Sequence, residues 1–145
     1  MDTSLIGRTS TPKSIVVEKG QLQLFAKATA TKNLIYRDQE AAKAAGYRTI
    51  PAPPTFLMCL NSLAPSKEPG VLQQLGIDIG RILHGEQRFK YGKPIYAGDE
   101  ITLITKVTDM YEKKGGALQF IVTETTATNQ DGEHVGTMVD SIVVR

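Results

Sequence analysis

The sequence predicts an α+β fold in which a curled antiparallel sheet covers one buried helix. The first observation is a nearly all-apolar helix predicted from Thr55 to about Leu63. The second is a set of four long β-type segments that fills most of the chain after Arg81, at 82–91, 100–113, 117–129 and 133–145. The third is a pair of short Gly-containing turns, at 114–116 and 129–132, which predict hairpins. Consecutive hairpins predict an antiparallel meander.

The first half of the chain is predicted to be mainly helical. Residues 14–17 are β-branched and predict a short strand or a packed arm, and residues 21–29 have apolar side chains spaced as on one helical face. The segment TKNLIY at 31–36 is a connector. A second helix is predicted between an N-cap at Asp38 and a left-handed stop at Gly46.

Three prolines precede the central helix. Pro51, Pro53 and Pro54 keep the backbone extended, because each fixes its own φ and disfavours helix in the residue before it. Pro54 suits the first helical position, and the apolar run after it predicts a helix buried on nearly all sides. Residues 64–70 form a loop, and residues 71–80 fit either a helical turn or an irregular excursion.

Composition predicts a single domain over residues 1–145. The chain is 41% apolar and has a net charge of +2, without an extended basic run, so nucleic acid is not an expected partner. The lone cysteine, Cys59, excludes an intrachain disulfide, and no apolar segment has membrane-spanning length. We therefore expect a cytoplasmic protein with no membrane partner. No metal-ligand spacing and no phosphate-binding Gly loop is present in the sequence, so no metal or cofactor is expected.

Two motifs resemble the MaoC-like (R)-specific enoyl-thioester hydratase family. ATATKNLIY at 28–36, the Gly46–Tyr47 pair and IPAPPTF at 50–56 are similar to A-x-G-D-x-N-P-(I/L)-H, G-(F/Y) and the I-A-H-G-M helix start. PIYAGDEI at 94–101 is similar to the family's (R/K)-P-(I/L)-x-x-G-D-x-(I/L) strand entry. The resemblance covers most of the chain and is closest to the family's N-terminal-type, FAS1-like dehydratase domains. It implies a hotdog fold and an acyl thioester substrate, carried on CoA or on a carrier protein. Because one sheet around one helix leaves edges exposed, we expect a homodimer or a heterodimer with another hotdog chain.

The resemblance also places the candidate catalytic residues. The family's Asp position is Thr31 and its His position is Tyr36, and neither side chain is a good base near neutral pH. The alternative readings are a local backbone cap for Thr31 and a half-buried structural aromatic for Tyr36.

Three further residues are candidates for substrate binding. Asn33 is retained from the motif, with an Asx turn as its alternative reading. The family polarises the thioester carbonyl with a helix-start N–H. The usual Gly is Pro54 here, so the expected donors are the N–H groups of Thr55 and Phe56.

Three functional hypotheses remain open on this evidence. The first is a hydratase or dehydratase subunit whose partner hotdog chain brings the Asp and the His. The second is an autonomous enzyme with rearranged groups, built from Tyr36, His84 or Asp99, in which His84 and Glu86 share one strand face. The third is a non-catalytic acyl-thioester binding module. A hotdog thioesterase is a further enzyme alternative. The other histidine, His134, follows a turn and is expected to be exposed.

Overall fold

A computed structural model describes residues 2–145 as one five-stranded antiparallel sheet with helices packed on one face. The strands are β1 Lys13–Val16, β2 Ile82–Tyr91, β3 Glu100–Lys113, β4 Leu118–Thr128 and β5 His134–Val144. The helices are α1 Lys19–Ala28, α2 Gln39–Ala44, α3 Phe56–Leu63 and α4 Val71–Gln74. Short 3₁₀ turns cover Leu34–Tyr36, Ile79–Arg81 and Lys114–Gly116. This is the α+β hotdog architecture that the sequence predicted.

The sheet order is β1-β3-β4-β5-β2. Only β3, β4 and β5 form the predicted meander, because β2 pairs with β5 and not with β3. The segment 92–99 carries the chain from one side of the sheet to the other. As a result β2 forms one outer edge over ten residues, whereas the opposite edge is the four-residue β1.

Helix α3 packs against the centre of the sheet. Its buried side chains Phe56, Leu57 and Leu60 join the main core cluster. The remaining members of that cluster come chiefly from the strands and the preceding segments, and include Val17, Leu22, Ile50, Ile101, Leu103, Ala127, Val135 and Met138. The prediction that α3 is buried on nearly all sides is wrong for the face that carries Thr55, Met58 and Ser62 and for the helix end, because Met58 is 42% exposed and Leu63 is 48% exposed. Residues 2–145 leave these two apolar side chains partly open to solvent.

The local signals before α3 are confirmed. The Asp38 side chain accepts a hydrogen bond from the Ala41 N–H at 2.7 Å, and Gly46 has φ of 90° just after α2. Helix α3 begins at Phe56, one residue later than the predicted Thr55, because Pro54 and Thr55 form the turn that leads into it. Residues 71–81 contain α4 and a 3₁₀ turn, and they pack on a second, smaller core cluster. No helix within residues 2–145 has the length and apolarity needed to cross a membrane.

Candidate active site at the start of the central helix

A cavity of about 300 Å³ lies at the N-terminal end of α3. Its walls come from the Pro-rich segment, from the end of β2 and from two tyrosines of the helical half. The lining residues are Tyr36, Tyr47, Pro51, Ala52, Pro53, Pro54, Leu57, Tyr91, Gly92, Lys93, Pro94, Ile95 and Val135. We call this space the helix-start cavity.

The two proline-containing walls of the cavity are held together by backbone hydrogen bonds. The Ala52 N–H donates to the Ile95 carbonyl at 2.7 Å, and the Ala97 N–H donates to the Ile50 carbonyl at 3.0 Å. Pro51 and Tyr96 form an isolated antiparallel bridge between the same two segments. This short ladder fixes the direction in which the chain enters α3.

The side chain of Asp99 holds this short ladder in place through hydrogen bonds. Its side chain is 2% exposed and accepts hydrogen bonds from Arg48, from the Tyr96 N–H at 2.8 Å and from Gln130 Nε2 at 3.1 Å. The Arg48 guanidinium also lies 4.3 Å from the centre of the Tyr96 ring. A buried carboxylate is stable only with such partners, so Asp99 is fully used in joining three segments. Asp99 does not line the cavity. Its place in the turn that leads into β3 explains its presence without a catalytic role.

The chemistry of the cavity wall is mainly aromatic and apolar. Its ionisable side chains are Tyr36, Tyr47, Tyr91 and Lys93, so the described lining contains neither a carboxylate nor an imidazole. Tyr91 stacks on Phe89 with ring centres 5.7 Å apart, and burial raises the pKa of its phenol. Such a wall can bind an apolar chain and orient a polar head group. It lacks the acid and base pair that moves protons in hydration.

The structure separates the two predicted catalytic residues. Tyr36 lines the cavity, whereas Thr31 does not. The Thr31 hydroxyl lies 3.0 Å from the Thr29 hydroxyl, and its N–H donates to the Ala26 carbonyl at 2.9 Å at the end of α1. Thr31 thus occupies a helix-ending position. Asn33 Oδ1 accepts from the Ile35 N–H at 3.2 Å, which is the predicted Asx turn.

Of the two predicted helix-start donors, one is already used. The Phe56 N–H donates to the Pro53 carbonyl at 2.9 Å, and the Phe56 ring packs edge-on against Phe25 at 5.3 Å. The Thr55 N–H has no hydrogen-bond partner among residues 2–145. Of the two predicted donors, the Thr55 N–H is therefore the one that remains free. Thr55 follows Pro54 of the cavity wall but is not itself a lining residue.

Neither histidine reaches the helix-start cavity. A bulge between His84 and Glu86 shifts the register, so the prediction that they share one face is wrong. His84 Nε2 instead lies 3.5 Å from Asp140 Oδ1, and Glu86 pairs with Arg88. His134 is exposed, as expected, and bonds to the Thr137 hydroxyl at 2.8 Å. Within the described residues no three His, Cys, Asp or Glu side chains are grouped to hold a metal ion.

A family model described as FAS1-like, dehydratase domain region matches residues 4–138. The chain belongs to this family. Its curated relatives include UPF0336 proteins of Thermobifida fusca, 37% identical over 92% of this chain and 86% of the relative, and of Saccharopolyspora erythraea, 36% identical over 100% and 92%.

Solved structures agree with the FAS1-like dehydratase assignment. A chain of the C-terminally truncated HadBC (3R-hydroxyacyl-ACP dehydratase) complex of Mycobacterium tuberculosis superimposes with a TM-score of 0.81 and 27% identity, and the match covers 99% of each chain. The (R)-hydratase of A. caviae has a TM-score of 0.72 and 20% identity over 99% and 100%, which shows the shared hotdog fold. The chain is thus a MaoC-like hotdog protein of the FAS1-like dehydratase type.

Sequence reasoning missed three of the four ionisable residues that line the cavity in this FAS1-like domain. Tyr47, Tyr91 and Lys93 line it, but none was among the predicted site residues. Two had a signal within the family motifs, since Tyr47 belongs to the Gly46–Tyr47 pair and Lys93 precedes Pro94 of the strand-entry motif. Tyr91 had none, because its place depends on β2 ending beside the Pro-rich segment.

Proposed function

We propose that this chain is the acyl-binding subunit of an enzyme that hydrates 2-enoyl thioesters or dehydrates (R)-3-hydroxyacyl thioesters. In this proposal a second hotdog chain supplies the Asp and the His across a shared interface. The observation that carries the proposal is the helix-start cavity, which has the apolar lining for an acyl chain but no carboxylate or imidazole. Reversible addition of water needs one group to move a proton and one to orient the water.

The relationship to the HadBC complex supports the two-chain arrangement. The matched structure is a complex of two kinds of subunit, and the match covers nearly all of this chain. The exposed Met58 and Leu63 side chains of α3 and the long outer edge of β2 also support a partner. An open edge of ten residues presents unpaired backbone N–H and C=O groups, which a strand of another chain satisfies.

The cavity suggests how the thioester is placed. In this proposal the Thr55 N–H, which follows Pro54 of the cavity wall and has no partner among residues 2–145, donates to the thioester carbonyl as negative charge develops on its oxygen. Lys93 lies in the cavity wall and offers a positive charge to the phosphates of CoA or of a carrier arm. Tyr36 contributes a phenol to the wall, and no proton transfer is assigned to it.

Reconstitution tests this proposal. The chain is purified alone, each MaoC-like chain of the same organism that retains an Asp and a His is purified alone, and the mixtures are assayed for hydration of crotonyl-CoA. We expect one mixture to exceed either component by about 100-fold or more, the lower range for acid and base catalysis. In that mixture, Tyr36→Phe in this chain is expected to retain turnover, whereas Asp→Asn in the partner is expected to abolish it.

Two outcomes contradict the proposal. If the chain alone hydrates crotonyl-CoA, and retains that activity with Thr31→Ala and Tyr36→Phe, it is an autonomous enzyme. If it binds acyl thioesters saturably but no mixture gains activity, it is a binding module.

A further inference from the structure

A second and larger cavity lies at the opposite end of α3. It has a volume of about 460 Å³ and is enclosed by the N-terminal arm, the end of α3, the 66–74 segment and the sheet. Eleven of its sixteen lining residues have polar or charged side chains, although much of the exposed wall is apolar: Leu5, Arg8, Ser10, Thr11, Lys13, Asn61, Ser66, Glu68, Pro69, Gly70, Val71, Gln73, Gln74, Thr105, Val107 and Thr123. We call it the helix-end cavity. Its lining differs from the aromatic helix-start cavity and predicts a different ligand chemistry.

The polar floor of the helix-end cavity continues across the sheet. Strand register places Val107, Thr123, Asp140 and Gln87 in one row over β3, β4, β5 and β2. Directly paired residues project from the same face of a sheet, so Asp140 and Gln87 extend the floor formed by Thr123. Val107 belongs to the smaller core cluster, whereas Thr123, Asp140 and Gln87 belong to neither cluster and form a polar seam beside it.

Several buried polar atoms around this seam have no hydrogen-bond partner among the described residues. They are Asn61 Oδ1 at the end of α3 and both amide atoms of Gln87. The Gln87 amide faces Asp140 closely enough to favour the carboxylate, but without hydrogen-bond geometry. Each unsatisfied buried polar group costs about 1–3 kcal/mol. Asn61 also lines the helix-end cavity, where a ligand with a hydrogen-bond donor would satisfy its amide oxygen.

The charges around the cavity indicate that the ligand is neutral. Arg8 and Lys13 bring two positive charges, and they are matched by Glu68 in the wall and Asp140 beside the floor. A carboxylate or phosphate would meet the two acids, and an amine would meet the two cations. The Lys13 ammonium is also engaged, since it donates to the Asn61 carbonyl.

We propose that the helix-end cavity, together with the Asp140 and Gln87 side chains beside it, binds a neutral hydroxylated organic group. A hydroxyl both donates and accepts, so it can donate to Asn61 or Asp140 while accepting from Gln87 Nε2 or Thr123. Two sources offer this chemistry. One is the oxygenated far end of an acyl chain whose thioester occupies the helix-start cavity. The two cavities are close enough for one chain because Leu57 lines the first, Asn61 lines the second, and the two residues lie one turn apart on α3. The other is a free diol or polyol.

Binding measurements with matched probes test the proposal and separate the two sources. The purified full chain is titrated by calorimetry with dodecanoyl-CoA, 12-hydroxydodecanoyl-CoA and 1,8-octanediol. For an acyl-tail source, we expect the hydroxylated ester to bind about tenfold more tightly than the plain ester. For a free source, we expect the diol to bind and to leave the affinity for dodecanoyl-CoA unchanged. In either case, methyl NMR signals of Val107 and Thr123 are expected to shift with the hydroxylated probe.

Three variants tie the effect to the cavity. Thr123→Val preserves shape and removes one hydroxyl, and Gln87→Leu removes the unpartnered amide. Both are expected to reduce the preference for the hydroxylated probe at least about threefold, while Thr126→Val on the opposite face of β4 preserves it. Without ligand, Gln87→Leu is expected to unfold at the same or a higher temperature than the wild type, which establishes that it folds.

The outcomes are distinct from those of the proposed function. If the two esters bind equally and the diol does not bind, the helix-end cavity is not a hydroxyl site and this inference is wrong. The same conclusion holds if Thr126→Val lowers the preference as much as Thr123→Val. If neither ester binds but the diol does, the proposed acyl-binding function fails and the helix-end site stands.

Discussion

Gly136 offers a sharp test of how tightly α3 is fitted to the sheet. It lies on β5 beneath Leu57, and a Cβ added there would sit 2.5 Å from Leu57 Cδ2. The optimal separation of two carbon atoms is about 3.5–4.0 Å, so Gly136→Ala forces Leu57 to move by more than about 1 Å. Leu57 is 1% exposed, and the free space beside it is the helix-start cavity. The substitution is therefore expected to push the leucine into that cavity.

The magnitude follows from two opposing effects. Overpacking of a core costs about 1–3 kcal/mol, while replacing Gly with Ala at a compatible φ stabilises by about 0.4–1 kcal/mol. We expect Gly136→Ala to lower the free energy of unfolding by about 1–2 kcal/mol. Gly20→Ala is the matched control, because nothing lies within 4 Å of its added Cβ in α1. This control is expected to stabilise by about 0.5–1 kcal/mol.

A double-mutant cycle identifies the contact. Leu57→Ala alone is expected to cost about 2–5 kcal/mol through the space it leaves. In combination with Gly136→Ala the clash is absent, so the loss is expected to be smaller than the sum of the two single losses by about 1 kcal/mol or more. Urea unfolding followed by circular dichroism measures all four proteins. Additivity within about 0.5 kcal/mol, or a Gly136→Ala protein as stable as the Gly20→Ala control, would refute the packing argument.

Three other perturbations have defined outcomes. Asp99→Ala is expected to lower the free energy of unfolding by about 2–4 kcal/mol, because it removes the acceptor for three donors. Asp131→Ala, at an exposed position, is the control and should change the free energy of unfolding by less than about 0.5 kcal/mol in the same urea titration. Burial raises the pKa of Asp140, so the folded chain keeps this proton to higher pH than the unfolded chain, and stability falls as pH rises from about 4 through the raised folded pKa. Asp140→Asn should therefore unfold at a higher temperature than the wild type near pH 7. Equal melting temperatures near pH 7, or a difference that persists below about pH 4, would contradict a raised pKa of Asp140 in the folded chain. Lys93→Met should raise KM for a CoA thioester several-fold at unchanged kcat in the reconstituted enzyme, and it should weaken the dependence of KM on salt concentration. Lys90→Met, outside the cavity, should change neither KM nor its salt dependence. A fall in kcat for Lys93→Met would instead place Lys93 in the chemistry.

The order of the strands shows where local reasoning stops. The bounds of β2, β3, β4 and β5 follow from alternation and from turn residues, and they agree with the structure within about two residues. Alternation carries no information about which strand is the neighbour of which. The pairing of β2 with β5 depends on contacts between residues far apart in sequence, such as Phe89 with Met138. The bulge at Gly85 likewise turns His84 away from the face of Glu86, which no local pattern revealed.

The candidate site divides in the same way. The motif resemblance identified Tyr36 and the Pro-rich helix start, and the residue types at 31 and 36 already indicated that the usual proton-handling pair is missing. It did not reveal that Tyr91 and Lys93 complete the cavity, because they reach it only through the crossing of segment 92–99. The polar seam beside the helix-end cavity has the same origin, since Thr123, Asp140 and Gln87 become neighbours only when three strands pair in register.

The sequence by itself determined the first three helices, the four long strands and their turns, because φ preferences, capping and hydrophobic period act over a few residues, and its motifs indicated the family. The tertiary structure alone decided which strand forms the free edge, which face of α3 stays uncovered and which side chains meet in the two cavities. These features arise from packing between distant segments, where the burial of one residue depends on the placement of all the others.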